Sequence, residues 1–164
     1  MPLARRRRPF AVNKSGTFTV NLPDEVRQFL VSLADQLDEI VTMDVPEVRR
    51  LFPTAYPDDP ERDAGYQILA RDQLIDQRKN AADTLRATSG NETLTDEELS
   101  QWMAVANDAR LVLGTTLDVS EDDELELDDP NLDLRLVYEE LGYLVHQMVT
   151  ALGQTLPEPT DSVD

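Results

Sequence analysis

TDEELSQWMAVANDARLVLG, residues 95–114, decides the architecture of this 164-residue chain. Thr95 followed by Glu98 forms a capping box, in which each side chain satisfies a free backbone donor at a helix start. Leu99, Trp102, Met103, Ala106, Ala109 and Leu113 then recur at spacings of three and four, and Gly114 offers a stop. Between Ala104 and Leu113 the polar residues are Asn107, Asp108 and Arg110, so this helix is apolar nearly all round and belongs at the centre of a core. Trp102 reads as core, not as a stacking platform, because it lies on the stripe between Leu99 and Ala106.

Working outward, Pro130 opens a last helix whose wide stripe is Leu134, Val137, Leu141, Leu144, Val145, Met148, Val149 and Leu152. Upstream, a helical region begins at Pro60 with Ile68, Leu69, Leu74, Ile75, Ala82 and Leu85 inward and a break expected near Asp72. Pro46, Pro53, Pro57 and Pro60 confine the segment before it to a helical turn or two and an ordered connection. From Pro23 onward Val26, Phe29, Leu30, Leu33, Leu37, Ile40 and Val41 mark a first helix, with Asp24 and Glu25 favourable to its amino-terminal dipole. Phe10 to Val12 and Thr17 to Val20 flank Gly16 as a hairpin. The reading is a mainly α, single helical domain of about four principal helices, near 23–42, 60–88, 96–113 and 130–153, with an N-terminal β-hairpin at 10–20. Residues 1–9 form a basic arm and 155–164 a fraying tail, outside a single domain at 10–154. The spacings of Leu30, Leu33, Leu37, Leu141, Leu144 and Met148 suit an intramolecular bundle better than a dimer seam, so a monomer or weak dimer is expected.

Charge is segregated. Arg5, Arg6, Arg7 and Arg8 stand in a row in a chain of net charge -18; with the five cations up to Lys14 set aside, ten cations face thirty-three anions. Such an acidic body disfavours broad docking on DNA or anionic membrane and favours basic partners. Cysteine is absent, which excludes disulfides, thiolate catalysis and Cys-ligated metals. No stretch approaches the ~20 apolar residues of a membrane span, and a cytoplasmic protein is expected.

Four groups of residues are candidates for chemistry. The Arg5–Arg8 run can pair with phosphates or with an acidic protein surface, but four phosphates give a salt slope of only about -3.6 and hence weak DNA contact. Asp118, Glu121, Asp122, Asp123 and Glu124 form an acidic strip. An EF-hand starting at Asp118 would put Asp123 where the loop needs glycine, so a partner-docking strip is the better reading and no metal is assigned. His146 has no nucleophile motif or second histidine beside it, and paired carboxylates are too numerous to single one out, so no catalytic residue, enzyme activity or cofactor is expected. Asn107, Asp108 and Arg110 interrupt a buried helix, where each polar group needs a partner. Asp108 is expected to accept from the proline-rich connection and Arg110 to reach Asp58, Asp59 or Glu61; a recognition pocket is the sharper alternative.

The strings LFPTAYPDDPE, at 51–61, and TDEELSQWMAVANDARLVLGTTLDVSEDD, at 95–123, together with the Pro130 helix, resemble an actinobacterial domain-of-unknown-function family typified by the actinomycete oxidative stress regulator. The resemblance covers nearly the whole chain. It implies a non-enzymatic regulator of transcription that works through an RNA polymerase sigma factor under oxidative stress. The family's usual position beside a Clp protease adaptor keeps a proteolysis-linked role open, next to direct DNA binding through the arm and a carboxylate- or metal-dependent enzyme. The family-motif positions Leu51, Phe52, Pro53, Tyr56, Pro57, Asp58, Asp59, Asn107, Asp108, Arg110 and Gly114 carry over as structural or partner-binding residues. This sequence departs from the redox part of that picture: without cysteine the chain cannot form its own disulfide, a cysteine-bearing partner could sense oxidant instead, and oxidation of Met43, Met103 or Met148 would be a lesion rather than a designed switch.

Overall fold

The computed structural model describes residues 7–43, 45–118, 124 and 126–155. Four α-helices follow an amino-terminal hairpin: α1 (Asp24–Ile40), α2 (Pro60–Thr88), α3 (Asp96–Leu117) and α4 (Leu132–Gly153), and the hairpin strands are β1 (Phe10–Val12) and β2 (Phe18–Val20). A two-residue strand, β3 (Thr93–Leu94), precedes α3 and pairs antiparallel with β2 through Phe18 opposite Leu94, making a three-stranded sheet. Gly16 turns the hairpin at φ 82°, a backbone conformation that costs glycine little. Asn13 ties the turn from both ends, donating to Thr17 Oγ1 and accepting from Thr19 Oγ1.

α3 is the central element. Its capping box forms as the sequence predicts, with Glu98 N donating to Thr95 Oγ1 and Thr95 N donating to Glu98 Oε2. It packs against α1, α2 and α4, burying Leu99, Trp102, Val105, Ala106 and Ala109 against Leu30, Ala34, Ala82, Leu85, Leu141, Leu144 and Met148. Trp102 is fully buried, and its indole N–H donates to Thr88 Oγ1 at 2.8 Å, so the ring's polar edge is satisfied inside the core. The leucine stripes of α1 and α4 both pack on α3 and share one core cluster with it. Two arginines lock the periphery: Arg27 donates to the carbonyls of Val20, Ser89 and Asn91, and Arg86 on α2 pairs with Asp35 and Asp38 of α1.

The structure corrects three details of the sequence reading. α2 runs unbroken through Asp72, and its buried residues, Ala81, Ala82, Leu85 and Thr88, all lie in its second half. Ile68 and Leu69 face solvent instead, at 78% and 84% exposure, as do Leu134 and Val149 on the stripe of α4. Gly114 does not end α3, which continues to Leu117. A side chain at 114 would begin 3.0 Å from Tyr138 Cε2, so glycine there lets α4 approach, while Asp118 in the left-handed region closes the helix.

Candidate interaction surface

The proline-rich connection begins with a 3-10 helix, Pro46–Leu51, whose Val48 and Leu51 are buried. Pro46 starts it, since its missing N–H would be unpaired at that position anyway. The chain then crosses to α2, where Asp59 caps the helix by accepting from Arg62 N. Asp63, one turn on, accepts from the backbone of Ala55 and Tyr56 at 2.8 and 3.1 Å, and Gln67 donates to the Pro53 carbonyl. Tyr56 is half-buried, edge-on to Tyr66 and beneath the Arg62 guanidinium, whereas Pro53, Pro57 and Asp58 are exposed.

One residue joins this connection to the polar trio of α3, and it is a residue the sequence reading passed over. Arg78 on α2 donates to the Leu51 carbonyl at 2.7 Å, and its Nε lies 3.2 Å from Asp108 Oδ2. That Nε is buried and its N–H is not aligned on the carboxylate, so the contact is an ion pair without a directed hydrogen bond. Asp108 thus meets the connection through Arg78. Burial raises its carboxyl to about 6, against the lowering pull of the Arg78 charge. Arg110 does not reach Asp58, Asp59 or Glu61; its guanidinium lies 4.8 Å over the Tyr138 ring, with its buried Nε beside Gly142 and, among the described residues, without a hydrogen-bond partner. Asn107 is half-buried on the same helix.

The two motif strings therefore converge on one region, where the connection, the middle of α2, the second half of α3 and the start of α4 meet. Phe52 anchors it beneath two guanidinium groups, Arg71 at 4.6 Å and Arg78 at 5.3 Å from the ring centroid. The signal for Arg71 and Arg78 was present in the sequence: seven residues apart, they share the stripe of Leu74 and Ile75, where a solvated cation is out of place.

The remaining sequence candidates lie elsewhere. Arg7 and Arg8 are exposed beside β1, and Arg8 lines a shallow hollow with Phe10, His146 and Thr150 at the far end of α4. Arg5 and Arg6 fall outside the described residues, as do Glu121, Asp122 and Asp123 of the acidic strip; Asp118 and Glu124 are exposed. His146 is exposed. No helix among the described residues is long and apolar enough to cross a membrane.

Comparison with known proteins places this geometry in context. The chain is similar to the oxidative stress regulator AosR of Mycobacterium tuberculosis and to that of Mycobacterium bovis, 31% identical to each over 113 residues, which is 54% of this chain and 52% of the relative. It spans about half the length of these curated relatives. No solved structure matches it. The model of a domain of unknown function, DUF2017, matches residues 7–152, nearly everything from the sheet to the end of α4, and the chain belongs to that family.

Proposed function

We propose that the protein is a non-enzymatic regulator of transcription in the oxidative stress response, acting through contact with an RNA polymerase sigma factor. The observation that carries this reading is the similarity to mycobacterial proteins named as oxidative stress regulators. Its charge supports a protein partner: a body this acidic repels DNA but attracts the basic surface with which a sigma factor grips a promoter. Direct DNA contact through the arginine arm is secondary, since four cations give weak, salt-sensitive affinity. Oxidant sensing falls to a cysteine-bearing partner, because this chain has no thiol.

Titration of the purified chain against purified sigma factors of its host, by calorimetry at low and physiological salt, tests the reading. A saturable one-to-one complex with at least one of them, weakening as salt rises, is the expected result. Absence of binding to every sigma factor at both salt concentrations would overturn it.

A further inference from the structure

The acidic body holds a second cation cluster, distant from the arm. A hollow of about 520 Å³ opens between the 3-10 helix and the first half of α2, lined by Val45, Val48, Arg49, Arg50, Phe52 and Arg71 among others. Arg49 and Arg50 are exposed, and among the described residues none of the three arginines has an ion pair. What sets them apart in a chain with thirty-three acids is their grouping around one hollow. Arg71 is also held in place: its guanidinium rests on the Phe52 ring, which leaves the planar fork ordered with its donors unspent. Asp63, a carboxylate lining the same hollow, accepts the Ala55 and Tyr56 backbone N–H groups through Oδ1, which leaves three cations there against one anion.

We propose that this hollow docks an acidic peptide segment of a protein partner, with carboxylates on Arg49, Arg50 and Arg71 and an apolar side chain against Val45 and Pro53, which also line it. Paired guanidinium–carboxylate contacts supply orientation, and the apolar floor supplies the anchor that separates a peptide from a bare polyanion. A nucleic-acid strand fits less well. Three arginines neutralise few phosphates, and the Phe52 ring that would stack a base already carries two guanidinium groups. The described part of the arm is rooted elsewhere: Arg8 lines the hollow at the Thr150 end of α4, whereas Arg50 lies by Gly114 and Tyr138 at the other end. Along α4 that separation is about 18 Å, at 1.5 Å per residue. The inference stands apart from the sigma-factor reading, since it names the chemistry of a surface and not the identity of the partner.

Fluorescence anisotropy with a short labelled peptide of Asp and Glu residues around a Leu-Leu core tests it on the full chain. The wild type should saturate, and the same peptide with Ser-Ser in place of Leu-Leu should bind roughly tenfold more weakly. Arg49→Glu, an exposed change that leaves the fold untouched, should weaken binding at least about tenfold, and adding Arg71→Glu should abolish it. Lys79→Glu, exposed on α2 outside the hollow, makes the same charge change and should leave affinity within about twofold. Absent saturation, equal affinity in Arg49→Glu, or tighter binding of a single-stranded oligonucleotide through the same arginines would each overturn the proposal.

Discussion

Asp108 shows how one buried charge couples stability to pH. Because burial raises its carboxyl from 3.8 to about 6, the folded chain holds the proton more tightly than the unfolded chain does. The group's contribution to stability is therefore complete below 3.8 and is lost as pH rises through about 6. That loss amounts to about 3 kcal/mol for a two-unit shift. Asp108→Asn should flatten the fall in stability across this window while keeping the side chain's size; denaturant unfolding at successive pH values reads it, and parallel curves for the two proteins would contradict the assignment. Trp102 is the other residue on which the core turns. Trp102→Ala should cost ~3 to 5 kcal/mol, as aromatic truncations in cores do, and Thr88→Val ~1 to 3 kcal/mol by leaving the indole N–H buried and unpaired. Wild-type midpoints in urea for either variant would contradict the burial and the bond.

At the scale of elements, the period of each helix was legible in the sequence but the reach of its neighbours was not. Ile68 and Leu69 follow the same three-and-four rule as Ala82 and Leu85, yet α2 is about 43 Å long at 1.5 Å per residue, and its first half outlasts the body it packs on. A stripe states which face is apolar; it cannot state where the opposing helix ends. The same holds for Gly114, which has the residue type of a helix stop but serves the approach of Tyr138. β3 escaped because a strand of two residues has no alternation to read. In the candidate site, the motif strings were visible and their meeting was predicted, but the mediator was not: the stripe position of Arg78 marks it as a cation out of place, yet only the fold shows that the Leu51 carbonyl and Asp108 converge on it. Replacing Ile68 and Leu69 together with Gln should change stability by less than about 0.5 kcal/mol per site, as surface substitutions do. A drop of several kcal/mol in chemical denaturation would mean that this half of α2 is packed after all.

Over the whole molecule, charge is sorted by position. One cation group roots beside β1 and the far end of α4, a second lines the hollow by the 3-10 helix, and the body between them is acidic. Helical class and central helix followed from pattern alone, because periodicity and capping are local properties. Function did not, because a binding surface without a metal, nucleophile or cofactor motif is defined by which residues the fold brings together. The central claim is that the partner is a protein met by the acidic body and that the arm is dispensable for it. Replacing Arg5, Arg6, Arg7 and Arg8 with alanine moves the net charge from -18 to -22, and the two described members, Arg7 and Arg8, are exposed. The measurement is the dissociation constant of that variant for the sigma factor, taken beside its affinity for promoter DNA. Retained sigma-factor binding with DNA affinity abolished is the predicted result; loss of the sigma factor with the fold intact would contradict the account and make the arm the binding element.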